Sequence, residues 1–287
     1  MSTPRKPYPT DLSDARWALI EPILTAWRAE RRAKGLEINE PKHELREIVN
    51  AILYVNRTGI GWPHLPHDFP PHQSVYVYFR AWANDGTTLK IHEMLRRRVR
   101  RAAGRAEEPT AALIDAQSIR TSSNVPESEQ GADNGKKIVG RKRHIATDTL
   151  GLLLVVLVTA ASVQDTTGGR DVIDALAAAH PSVAKVWVDA GYKKSVIERG
   201  AAHGIDVEVV TKVPGQKGFV VQPKRWAVER TFGWLMQHRR LVRDYETRPE
   251  HSQTMIHWAM IDNMSRRVTK ETTQTWHDIA PESLLAA

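Results

Sequence analysis

Three carboxylates occupy three unlike settings in this chain. Asp115 closes the apolar run AALID, Asp189 follows the valine and tryptophan of VWVDAGY, and Glu229 lies within the basic helical stretch KRWAVERTFGWL. Acids at the ends of two strands and on one helix can converge in space, and a converged trio of oxygen donors binds divalent metal. Two Mg²⁺ ions, with Mn²⁺ as a substitute, would activate a water or a sugar hydroxyl and stabilise the leaving oxygen of a phosphodiester. Each acid also has a plainer reading. An Asp after a strand often serves only its own turn, accepting local backbone N–H groups, and Glu229 can pair with Arg225 one helical turn earlier. Asp148 and Asp165 compete as ligands, but the first sits in a hairpin turn and the second before a helix start.

The elements that must position these acids follow from periodicity. Residues from about 10 to 105 read as helices: one capped by Ser13 or Asp11 and running through Leu24, one carrying Ile48, Ala51, Ile52 and Val55 and stopped by Gly59, one carrying Val75, Tyr78, Phe79 and Trp82, and one from about Thr87 to Ala103. Beyond Pro109 the pattern turns to strands, TAALIDAQSI, GRKRHIATDT and LLLVVLVTAAS, with Asp148 to Gly151 turning the last two into a hairpin. A helix through Val172 and Leu176, the run KVWVDAG, a helix from about Lys194 to His203, the strand IDVEVVTKV and a helix from about Arg225 to Arg240 complete the unit. The polar stretch from Ser122 to Gly135 reads as a loop.

This order predicts an α/β fold with an RNase-H-like catalytic domain, a mixed β-sheet flanked by helices, preceded by an all-α helix-turn-helix-like domain. The expected division is 1–105, 106–270 and a tail at 271–287. In that topology the strands bearing Asp115 and Asp189 lie side by side. The last helix, packing through Val228, Phe232 and Leu235, then delivers Glu229 to the same edge.

Charge points to the partner. The 287 residues hold 41 Lys and Arg against 33 Asp and Glu, a net charge of +8, which favours a polyanion. Three basic runs flank the acids: Lys90 to Arg105; Lys136, Lys137, Arg141, Lys142 and Arg143 with His144; and Arg225, Arg230, Arg239, Arg240 and Arg243. A charge run is often only a solvated face, but three such runs around a carboxylate cluster suggest contact with the phosphates of double-stranded DNA, leaving base reading to the helical domain.

Other chemistries find less support. There is no Cys, so disulfides and thiolate zinc sites are excluded, and the longest apolar stretch, 150–163, is too short to cross a bilayer as a helix. A cytoplasmic protein, nucleoid-associated when bound to DNA, is the expectation. GADNGKK is one residue short of a phosphate-binding loop, and HEXXH is missing. Ser118 or Tyr192 could serve as a covalent nucleophile; packing or hydrogen bonding beside the acids is the simpler role.

The segments GKKIVGRKRHIATDTLGLLLVV, VWVDAGY and RWAVERTFGWLMQHRRLVRDYE resemble the signature segments of bacterial insertion-sequence transposases of the insertion-sequence-five family, of the DDE class. LSDARWALIEPIL and RTGIGWPHLPHDFPPHQSVYVYFRAW are similar to that family's helical domain, so the resemblance runs from about Tyr8 to Arg267. It implies that Asp115, Asp189 and Glu229 are the catalytic, metal-binding triad and that Arg225 matches the Arg preceding the Glu. It also implies strand cleavage at element ends, strand transfer into target DNA, and a homo-oligomer, since two ends must be handled together. The chain departs from the motif at Met236, where a Lys or Arg often stands seven positions after the Glu; Arg239 or Arg240 would then take over that DNA contact. Two rivals share the pattern: a DNA-binding protein without catalysis, and a structure-specific nuclease that cuts but never joins.

Overall fold

A computed structural model of the chain describes residues 5–36, 42–192, 194–210 and 223–272. Four helices come first: α1 (Asp14–Ala33), α2 (Leu45–Thr58), α3 (His72–Asn84) and α4 (Thr87–Ala102). Ser13 caps α1 by accepting from the Arg16 backbone N–H at 3.2 Å. The helix continues past Leu24 to Ala33, because the second half is rich in Ala and Arg, both strong helix formers. Gly59 ends α2 in the left-handed conformation, with φ +79°.

The sheet is built from β1 (Ala111–Arg120), β2 (Gly131–Asp133), β3 (Ile138–Asp148), β4 (Leu153–Ala160), β5 (Lys185–Val188) and β6 (Asp206–Val209). Its order is β4-β3-β1-β5-β6, with β2 added along the start of β3. β3 runs antiparallel to both β1 and β4, whereas β5 runs parallel to β1 and β6 parallel to β5. The helices α5 (Asp165–Ala179), α6 (Lys194–Ala202), α7 (Pro223–Met236), α8 (Arg239–Val242) and α9 (Pro249–Thr269) complete the chain. This is the mixed sheet flanked by helices expected of an RNase-H-like fold.

Strand alternation divides the interior in two. Ala112 and Ile114 of β1 face a core with Val172, Ile173 and Leu176 of α5 and Val196 of α6. Leu113 points the other way, into a larger core with Ile145, Val228 and Leu235. That second core continues into the first four helices through Ile20, Leu24, Ile52, Phe79 and Leu95, and α9 joins the two regions with Met255, Ile256, Trp258 and Met264.

Three further boundaries differ from the sequence reading. The last helix of the sheet unit stops at Met236, and a separate single turn, α8, follows it. The polar stretch 122–135 contains a 3₁₀ turn and β2, which pairs with β3. The strand expected over IDVEVVTKV is β6, four residues long, and positions from 211 to 222 lie outside the described residues.

Candidate active site

β1 and β5 pair in parallel through Ala111 with Lys185, Ala112 with Val186 and Leu113 with Trp187. Two further residues along this register bring Asp115 level with Asp189. Alternation also puts Asp115 on the face of Leu113, and Asp189 on the face of Trp187, which packs against the same large core. α7 lies across that face, packing on β1, β3 and β5. Its register is fixed by buried Ala227 and Val228, by Thr231, whose hydroxyl donates to the Gly151 carbonyl at 2.7 Å, and by Arg230, which donates to the Leu150 carbonyl at 2.8 Å. Glu229 sits half-buried between those anchors.

The two strand-borne acids also serve their own backbone. One oxygen of Asp115, in the middle of β1, accepts from the Ala116 N–H at 2.7 Å; one oxygen of Asp189, just past β5, accepts from the Gly191 N–H at 2.8 Å, the turn role that an Asp after a strand commonly takes. As a donor set three carboxylates suit a hard divalent cation. Among the described residues, however, no group of three His, Asp or Glu is gathered closely enough to hold an ion. Strand register and helix packing bring the three acids to one face of the sheet, but their carboxylates are not gathered around a single point; three like charges by themselves repel.

Tyr192, three residues after Asp189, is buried against α5, where its ring abuts Gly169 so closely that a Cβ there would come within 2.6 Å of it. Its hydroxyl finds no hydrogen-bond partner among the described residues. Burial, then the nearby charges of Asp115, Asp165 and Asp189, push its pKa upward, so the hydroxyl stays protonated. Ser118 donates to Asp133 at 2.6 Å. Both candidate nucleophiles therefore occupy packing or hydrogen-bonding roles. Of the competing acids, Asp148 is fully buried and paired with Arg100, and Asp165 pairs with Lys142 at 2.9 Å.

The basic run on β3 is not a surface. Arg141, Lys142, Arg143 and His144 are all buried, because β3 is an inner strand between β1 and β4. Arg141 donates to the carbonyls of Glu129, Glu246 and Thr247 at 3.0, 2.6 and 2.9 Å, and Arg143 to that of Leu241 at 2.8 Å. Lys142 donates to the Val163 carbonyl at 2.8 Å, and the His144 ring lies 3.0 Å from the Thr159 hydroxyl. These four hold the fold together and offer no charge to a duplex as they stand. Lys136 and Lys137, on the turn before β3, are exposed, and Lys136 reaches the carbonyl of Ala116 at 3.4 Å, beside Asp115.

On the third run, Arg240 is buried against Glu246 at 2.8 Å and donates to the Ile60 carbonyl, so it is committed to the interior. Arg230 is half-buried over Trp234, and Arg239 is exposed. The side chain of Arg225 lies outside the described residues. Sequence reasoning gave no weight to Arg120, exposed at the end of β1; its only signal was its place five residues after Asp115 on one strand.

Comparison with known proteins adds two family matches. Residues 106–264 match the family described as "Transposase DDE domain", and residues 12–92 match one described as "Putative transposase of IS4/5 family". Among curated proteins, the "Putative transposase for insertion sequence element IS402" of Burkholderia cepacia is 35% identical over 119 residues, covering 39% of this chain and 56% of that protein. The match thus spans little more than half of the relative's length. No solved structure matches.

Proposed function

The chain belongs to the transposase DDE-domain family, and from that premise we propose that it cuts the ends of an insertion sequence and joins them to target DNA. The observation that carries this reading is the level placement of Asp115 and Asp189 on adjacent parallel strands beneath the helix bearing Glu229. These three residues would hold divalent ions, Mg²⁺ or Mn²⁺, which when bound supply a polarised water or hydroxyl and neutralise charge on the leaving oxygen.

The chain's own residues do the rest. β1 carries Asp115, β5 leads into Asp189, and the anchors at Leu150 and Gly151 hold α7 against these strands. Lys136, beside Asp115, supplies a cation for the phosphate next to the cut. The helical part would recognise the element end. α3 exposes Gln73, Val77, Arg80 and Asn84 along one stripe, and these are side-chain types that read adenine, the thymine methyl and guanine in the major groove. Two ends must be processed together, so the working species is a dimer or larger assembly on DNA. No described helix is long and apolar enough to cross a membrane; action on DNA in the bacterial cytoplasm is consistent with this.

A supercoiled donor plasmid carrying the element ends tests the reading. Cleavage with Mg²⁺, joints in a target plasmid, and loss of both in Asp115→Asn are expected. Binding without cleavage would leave only an end-occupying protein, and cleavage without joints would leave a nuclease.

A further inference from the structure

Beside the acids, a groove of about 580 Å³ opens between β1 and the end of α7, continuing over α8 to Tyr245. Its two walls are extensions of the two elements that carry the site. On β1, Gln117 stands two residues beyond Asp115, on the same face of the strand and about 7 Å along it. On α7, Met236 stands seven residues beyond Glu229, two helical turns and about 10 Å along the axis, and so on the same side of the helix. A chain of phosphates leaving the acids in this direction would pass directly into the groove.

The charge of the groove is one-sided. Arg120, Arg239 and Arg243 line it, all three exposed, and no acid lines it among the described residues. None of the three makes a side-chain hydrogen bond or ion pair with a described residue. Directly beneath them, Arg141, Arg143 and Arg240 are buried and consumed by Asp244, Glu246 and the carbonyls of Leu241, Glu246, Thr247 and Ile60. Arg141 and Arg143 of β3 thus fasten the segment 239–247 from below, while Arg239 and Arg243 of that segment and Arg120 of β1 form an upper layer with no neutralising partner among the described residues. Between the guanidinium groups lie apolar patches, notably Met236 and Val242, the latter 55% exposed. The amide oxygen of Gln117 is buried without a partner among the described residues. Phosphate-binding groups interleaved with apolar faces suit a single DNA strand, its phosphates on the arginines and its bases on the apolar wall, better than a free anion or an intact duplex backbone.

We propose that this groove holds the unpaired DNA strand next to the scissile phosphate, with Arg120, Arg239 and Arg243 as its phosphate contacts. The proposal rests on the transposase reading and deepens it: Met236 removes a cation from the helix, and two arginines on the following turn together with one on β1 replace it. Arg239, not the buried Arg240, is the substitute on this side of the helix.

Binding of a fluorescent ten-residue oligothymidylate to the full chain, followed by anisotropy across a salt series without divalent metal, tests it. The triple variant Arg120→Ala, Arg239→Ala, Arg243→Ala should weaken binding by at least about tenfold and flatten the salt slope by about two, since each phosphate contact on a single strand contributes roughly 0.7. Binding of an unrelated blunt duplex should change by less than about threefold, because the duplex is met elsewhere. Met236→Lys should tighten the oligothymidylate, a gain that misfolding cannot imitate. Unchanged strand affinity in either variant, or equal losses on strand and duplex, would overturn the groove assignment. Failure of the wild-type chain to cleave a donor plasmid would instead remove the transposase reading while leaving the strand-binding result to stand or fall alone.

Discussion

Arg100, near the end of α4, donates to the carboxylate of Asp148 in the turn between β3 and β4, and both side chains are buried. The same carboxylate accepts the backbone N–H groups of Leu150, itself an anchor of α7, and of Leu152, next to the second anchor Gly151, at 2.9 and 2.8 Å. One ion pair therefore ties the helical region to the turn on which Glu229 depends. Asp148→Ala should cost about 3–5 kcal/mol by leaving a guanidinium buried and two N–H groups unmet, whereas Arg100→Met should cost less. Urea midpoints measure both. A smaller loss in the aspartate variant than in the arginine variant would contradict this ordering.

Tyr192 separates packing from hydrogen bonding. Its ring fills the space over Gly169 while its hydroxyl is unsatisfied among the described residues. Tyr192→Phe should leave thermal stability unchanged or slightly higher, because a buried polar group without a partner is lost. Tyr192→Ala should destabilise by about 3–5 kcal/mol through the cavity it leaves between α5 and α6. Melting temperatures of the two variants decide, and a large loss in the phenylalanine variant would show that the hydroxyl is held in the folded protein.

Metal binding is measurable without turnover. If Asp115, Asp189 and Glu229 hold Mg²⁺ in the folded chain only, Mg²⁺ at ten times its dissociation constant should stabilise the protein by about 1.4 kcal/mol. EDTA should reverse the shift, and Asp189→Asn should abolish it. An equal rise in that variant would place the ion elsewhere.

Acid should unfold the chain early. Burial holds His144 and His238 at about 4 and His257 at about 3, below the usual 6.5 for a histidine. In the unfolded chain these rings take up protons as pH falls through 6.5, but in the folded chain only near 4 and below. The unfolded state thus binds more protons in this window, and stability falls with pH by up to about 1.4 kcal/mol per pH unit for each ring. Stability is fully present above pH 6.5. A melting temperature that stays level between pH 7 and 5 would be inconsistent with neutral rings at these three positions.

The elements that carry the three acids were legible because they rest on local signals. The apolar runs before Asp115 and Asp189 mark β1 and β5, although β1 continues past Asp115 to Arg120; the turn at Asp148 to Gly151 marks a hairpin, and the stripe of Val228 and Leu235 marks the buried face of α7. The alternating cations of β3 misled for a physical reason. Arg141 and Arg143 satisfy their charge on groups a hundred residues later, at Leu241, Asp244 and Glu246, and partners that distant leave no trace in the surrounding sequence. Only the apolar strand LLLVVLV beside them hinted that β3 lies inside the sheet. α9 went unseen because Met255, Ile256, Trp258, Met260 and Ile261 bury it on several sides, which erases the single apolar stripe by which a surface helix is recognised.

α9 also fixes when the molecule can come into being. Arg16 on α1 is buried in an ion pair with Asp262, and Asn56 on α2 donates to the carbonyl of Met255 at 2.8 Å. The interior of α1 and α2 therefore closes only when α9 packs against them. A chain truncated before residue 249 would leave apolar faces of α1 and α2 uncovered and open to proteolysis.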